Sequence, residues 1–269
     1  MKTTANQITA RVKFTQSTRN VIAAAISVLL VGEANAAPGT LAESPLFLAS
    51  SVQSNIFLIV DDSGSMDWEV LLTRGADLVH PADSDNVSAL DYSPDDATER
   101  RRLCAGYNAM AYNPNRTYTP WVGEDSAGNV YRDQGGTSAA TADTLWPNAK
   151  QNPYNSGGTT SSLSAHFYFI WNDANADGVY QSGECPTPAN VDTVAECRAL
   201  GTSVCQPVTD LGAAGRTNYA NWFSYYRKRE YVAKRALSEI ITESSARMGL
   251  TTLWNTNNVR TPVRHVDDI

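Results

Sequence analysis

The sequence predicts an α/β fold, a doubly wound sheet interrupted by a long loop- and strand-rich insertion. Three observations predict it. Ile56 to Val60 is a continuous apolar, β-branched run, the pattern of a strand buried in a parallel sheet. Between Thr73 and Gly215 the composition shifts to Asn, Asp, Gly, Ser, Thr and Pro with isolated aromatic patches, as in short strands and long loops. Helical periodicity then returns in "NYANWFSYYRKREYVAKRALSEIITESSAR", followed by "LTTLW" as a second strand. Strand, interruption, helix, strand is the order of a parallel crossover.

Taken in order, residues 1 to 36 read as a secretory signal peptide. Lys2, Arg11, Lys13 and Arg19 precede an apolar run from Val21 to Val31, and Ala34-Asn35-Ala36 supplies a small-x-small cleavage site. The apolar run is short for a membrane span, so no stable span is expected after cleavage, and no cysteine follows it to carry a lipid. Residues 37 to 72 form a lead-in, the first strand and a "DDSGSM" loop. Residues 73 to 215 are the insertion, expected to be held by disulfides and ions more than by a large core. Residues 216 to 269 carry one long helix, on which Phe223, Tyr226, Ala233, Leu237, Ile240 and Ile241 share a face, then Gly249 as its C-terminal cap and the second strand.

Composition narrows the function. With 42% hydrophobic residues and a mean hydropathy of −0.33, the 269-residue chain is too polar for a multispanning membrane protein. Removing the leader subtracts four positive charges and one negative, taking the net charge from −7 to −10. That acidity opposes nucleic-acid binding and suits a cation-binding exported protein. The four cysteines, Cys104, Cys185, Cys197 and Cys205, all follow the leader, so two disulfides are expected, in any of three connectivities. Zinc is disfavoured, because no CxxC pair exists and His80, His166 and His265 lie away from the cysteine cluster.

The string Asp62-Ser63-Gly64-Ser65 admits several readings. An aspartic protease places such a motif after an apolar strand, with Asp62 as the acid, but its chemistry needs a second copy to share the proton, and the sequence has none. "GGTSAA" at Gly135 to Ala140 echoes a subtilisin-like serine loop, yet His80 sits in no matching motif and a flexible loop explains the stretch. Read one residue earlier, Asp61-x-Ser63-x-Ser65 sets one carboxylate and two hydroxyls on alternate residues at the C-terminal end of a strand. There they can converge as hard donors for Mg²⁺ or Ca²⁺. The bland alternative is that Asp61 and Ser63 cap a strand-to-helix turn. The DxSxS pattern resembles the metal-ion-dependent adhesion site of von Willebrand factor A domains.

"DANADGVYQSGE", Asp173 to Glu184, follows the calcium-loop pattern. Asp173, Asn175 and Asp177 stand at positions one, three and five, Gly178 at six, Val179 with its carbonyl at seven, Gln181 at nine and Glu184 at twelve. A solvated Asp/Asn turn is the alternative. The flanks, a strand-like "HFYFIW" and Cys185, predict an isolated Ca²⁺ loop that orders a region poor in apolar mass, not a helix-loop-helix sensor.

"PLFLASSVQSNIFLIVDDSGSMDWE", "YNPNRTYTPW" and "NYANWFSYYRKREYVAKRAL", in this order, resemble the N-terminal region of the PilY family, the type IV pilus tip-associated adhesins and biogenesis factors. The resemblance implies a von Willebrand factor A-like domain split by a variable insertion, with Asp61, Ser63 and Ser65 as adhesion-site ligands. It implies export to the periplasm, then the pilus or cell surface, with pilin subunits or minor pilins and host or abiotic surface ligands as partners. It implies a binding protein, not an enzyme; an unrelated secreted A-type binding protein is the other reading. Family members continue into a C-terminal β-propeller, so the sequence is expected to be a fragment or truncated product whose adhesion site lacks its later ligands.

Overall fold

The computed structural model describes residues 53–73, 87, 89–92, 94, 96–186 and 188–253, with the backbone alone of 261–264. All belong to one compact unit, Gln53–Ile269. The proposed leader and most of the lead-in lie outside these residues.

In chain order the strands are β1 (Asn55–Val60), β2 (Asn148–Lys150), β3 (Thr160–Ser162), β4 (Phe167–Phe169), β5 (Cys205–Pro207), β6 (Arg247–Thr252) and β7 (Thr261–Arg264). The helices are α1 (Ala97–Arg102), α2 (Val194–Leu200), α3 (Ala213–Tyr225) and α4 (Arg229–Glu243). The chain thus mixes helices and strands as expected of an α/β fold. β1 pairs in parallel with β6, in register from Asn55 opposite Arg247 to Val60 opposite Thr252, and β7 adds antiparallel to β6. Local sequence explains two helix starts: Asp96 accepts a hydrogen bond from the Glu99 backbone N–H, and Thr193 with Glu196 forms a capping box.

Three expectations change. First, the single long helix is two. Its residues turn out of helical geometry at Tyr226 to Lys228, where Arg229 N–H donates to the Trp68 carbonyl at 3.2 Å and Arg229 Nε to the Val70 carbonyl at 3.0 Å. Contacts to the segment after β1 replace helical hydrogen bonds, an outcome that periodicity alone does not encode. Second, Gly249 is no cap. The second helix stops at Glu243, Ser244 is extended, and Gly249 lies within β6 opposite Phe57; Trp254, in the expected strand, lies outside the described residues. Third, β1 is not buried: Phe57 is 43% and Ile59 62% exposed, on one face of the sheet that, among the described residues, lacks the covering layer a buried parallel strand has.

The middle of the chain holds more apolar mass than its composition suggested. Tyr112, Tyr118, Ala149, Leu163, Tyr168 and Val208 pack around Tyr219, Ala220, Trp222 and Phe223 of α3. A neighbouring cluster gathers Val70, Leu103, Tyr107, Phe167, Phe169 and both disulfides. Rings meet edge-on, as in Tyr112 against Tyr168 at 4.8 Å between centroids and Trp121 against Tyr225 at 5.4 Å. The buried polar ends are satisfied: Trp222 Nε1 donates to the Met110 carbonyl at 2.9 Å and Trp121 Nε1 to the Tyr225 carbonyl at 2.9 Å.

Candidate functional site

The DxSxS turn begins where β1 ends. After Val60 the chain leaves the sheet, and Asp61 Oδ1 accepts the Ser63 backbone N–H at 2.9 Å. Ser63 is extended (φ −63°, ψ 156°) and precedes a 3₁₀ turn, Gly64–Asp67, whose first closing bond runs from Met66 N–H to the Ser63 carbonyl at 2.9 Å. The Ser63 and Ser65 hydroxyl oxygens stand 3.1 Å apart. Asp61 is exposed and both serines are partly buried. The three residues therefore meet in one turn at the carboxyl end of a parallel strand, where open α/β sheets take ligands. Ser63, at the N-cap of the turn, makes no side-chain capping bond, and the Asp61 carboxylate instead closes an Asx turn on the Ser63 N–H just before it.

Beyond the 3₁₀ turn the chain is anchored. Glu69 Oε1 accepts Arg227 Nε at 2.8 Å, Glu69 Oε2 accepts the Leu90 N–H at 2.9 Å, and Lys228 pairs with Asp67. Asn108, fully buried, clips the same strip. Its Oδ1 accepts Leu71 N–H at 2.8 Å and Met110 N–H at 3.1 Å, while Nδ2 donates to the carbonyls of Glu69 and Arg102 at 3.1 and 2.9 Å. Sequence reasoning missed Glu69, Arg227 and Asn108; only the charge of Glu69 and Arg227 marked them, without a sign of pairing across 158 positions.

The Asp173 to Glu184 loop is folded on its own side chains. Asp173 Oδ1 and Oδ2 accept the N–H groups of Asp177 and Gly178 at 3.2 and 2.8 Å. Asp177 Oδ1 accepts Val179 N–H at 2.7 Å, and its Oδ2 accepts Asn175 Nδ2 and Gln181 Nε2, both at 2.9 Å. The Val179 N–H foremost, then the Gln181 and Asn175 side chains, hold the Asp177 carboxyl below its ordinary pKa. Gly178 supplies the positive φ of +73° that the sixth position requires. Glu184, 9% exposed, turns inward: its Oε2 accepts Trp171 Nε1 at 3.0 Å and Gln181 N–H at 2.9 Å. Among the described residues no group of three or more His, Cys, Asp or Glu side chains is gathered closely enough to hold a metal ion. The donors are hard oxygens of the calcium type, and several are engaged with backbone N–H groups.

All four cysteines are paired, Cys104 with Cys185 and Cys197 with Cys205, which settles the connectivity that spacing left open. Cys185 directly follows Glu184, so the first bridge ties the end of the loop to Cys104, two residues past the end of α1.

The chain is 27% identical over 242 residues to the type IV pilus biogenesis factor PilY1 of Pseudomonas aeruginosa (strain UCBPP-PA14). The similarity points to a PilY-like relationship. It covers 83% of this chain and 18% of that protein's length. No family model and no solved structure matches the chain. Two disulfides fit an exported protein, and no helix of the described residues is long and apolar enough to cross a membrane.

Proposed function

We propose that this chain is part of an exported, non-enzymatic factor of type IV pilus assembly and adhesion, which uses a divalent cation to bridge to its partner. The observation that carries the reading is the turn after β1, where Asp61, Ser63 and Ser65 bring a carboxylate and two adjacent hydroxyls to the end of a parallel strand. Mg²⁺ or Ca²⁺ held there through a few protein oxygens keeps coordination positions for an acidic group on a pilin, a minor pilin or a surface ligand. The von Willebrand factor A-like character of the sheet belongs to this proposal, as do periplasmic export and later display on the pilus. The similarity to a pilus biogenesis factor supports the partner class.

A second cation, Ca²⁺, is assigned to the Asp173 to Glu184 loop. Asp173, Asn175, Asp177, the Val179 carbonyl, Gln181 and Glu184 are its donors, and the loop already turns at Gly178 as such a site needs. Binding would require Glu184 to exchange its Trp171 and Gln181 contacts for the ion.

Calorimetric titration with Ca²⁺ and Mg²⁺ tests both assignments on wild type, Asp61→Ala and Glu184→Ala. The expected result is one Ca²⁺ lost with Glu184→Ala alone, and cation-dependent pilin binding lost with Asp61→Ala alone. Pilin binding that survives both chelation and Asp61→Ala overturns the bridging mechanism.

A further inference from the structure

We propose that a cleft of about 380 Å³ beside the 3₁₀ turn is a saccharide site, in which Arg227, His166 and Gln151 offer hydrogen bonds to the hydroxyls of a neutral sugar ring. The cleft is charge-balanced. Its two carboxylates, Asp67 and Glu69, are each paired with one of its two cations, Lys228 and Arg227. Neither a free anion nor a cation gains net attraction there, so the chemistry left to a ligand is neutral hydrogen bonding.

That capacity is built in. His166 is 8% exposed, its Nδ1 meets the Tyr219 hydroxyl at 3.2 Å, and its Nε2 has no hydrogen-bond partner among the described residues. Burial foremost, then the nearby Arg227 charge, pushes its pKa down to about 3, so the ring is a neutral donor or acceptor. Arg227 Nε serves Glu69 and Nη1 the Phe223 carbonyl, while Nη2 has no such partner among the described residues. Gln151 donates Nε2 to the Ser161 hydroxyl at 2.8 Å, and its Oε1 is likewise without a partner among them. Rings of Tyr92 and Phe223 form the apolar part of the wall, Tyr92 stacked 4.0 Å from the His166 ring. Donors and acceptors beside aromatic carbon suit a ring that is hydroxylated at its edge and C–H-bearing on its face. The proposal requires no ion, so it stands or falls separately from the cation bridge.

The test is NMR of the isotope-labelled full chain with EDTA present, titrated with the methyl glycosides of galactose, glucose, mannose and N-acetylglucosamine, and with acetate as an anion control. The expected result is that at least one glycoside shifts the His166 ring nitrogen and the Gln151 side-chain amide saturably at millimolar concentration. Gln151→Ala, at an exposed position, should weaken that binding about five-fold, the loss of one neutral hydrogen bond, without moving the unfolding midpoint. No saturable shift at His166 with any glycoside overturns the proposal, as does affinity unchanged by Gln151→Ala. Saturation by acetate instead would identify an anion site and overturn it equally.

Discussion

Glu69 and Arg227 form a buried ion pair at 2.8 Å, with side chains 6% and 7% exposed, that joins the strip after the DxSxS turn to the break between α3 and α4. A buried charge left without its partner is costly, whereas removing both is tolerated far better. Glu69→Ala or Arg227→Ala should each destabilise the fold by about 3–5 kcal/mol, and the Glu69→Leu/Arg227→Met double variant by clearly less than their sum. Urea unfolding of the four proteins checks this, and strict additivity would show that the pair does not act as a unit.

Asn108 supplies a second clamp through four backbone hydrogen bonds, two of them, to Leu71 and Glu69, on the same strip. Asn108→Ala leaves buried N–H and carbonyl groups unserved and should cost at least about 2 kcal/mol. Asn108→Asp keeps the shape but sets a carboxylate against the Glu69 and Arg102 carbonyls, so it should not rescue stability. Chemical denaturation of both variants decides it.

The two disulfides close loops of very different size, with sequence separations of 81 and 8. On chain entropy, losing Cys104–Cys185 should cost roughly 4 to 5 kcal/mol and losing Cys197–Cys205 roughly 2 to 3 kcal/mol. Paired Cys→Ser variants unfolded without reductant test the order; the reverse order would mean that local packing outweighs loop closure.

His166 predicts a pH dependence. Its folded pKa, about 3, lies below the ordinary unfolded value of about 6.5. Above that unfolded value both states are neutral and stability is fully present. As pH falls from about 6.5 toward 3 only the unfolded state takes the proton, so stability is lost, by up to about 1.4 kcal/mol per pH unit. Between pH 6.5 and 5, ahead of the carboxylate range, wild type should weaken while His166→Phe holds nearly level. A wild-type curve flat across that window would place a charged, solvated imidazole at this position.

The local geometry of both candidate loops was legible in the chain itself. The apolar run into Asp61-x-Ser63-x-Ser65 signalled a strand followed by a tight polar turn, and β1, the 3₁₀ turn after it and the parallel partner β6 occupy those positions. The Asp173 to Glu184 spacing was read as a calcium loop, and of that reading the structure describes the turn at Gly178 and the self-bonding through Asp173 and Asp177, as short polar side chains at alternate positions allow. Local patterns were sufficient because each of these features is set by neighbours a few residues apart.

What the sequence determined by itself, then, was local: the first strand, the polar turn after it, the turn at Gly178 and the even cysteine count. Tertiary structure alone decided the pairing of Cys104 with Cys185, the break of one apparent helix at Arg227, the exposure of β1, and the aromatic core of Tyr112, Tyr168, Tyr219 and Trp222. The disulfide and the Arg227–Glu69 pair join groups 81 and 158 positions apart, and the aromatic core gathers residues from well-separated segments. Burial of Arg227 is stable only where Glu69 arrives to neutralise it, and aromatic residues scattered through loops form a core only once the chain has brought them together.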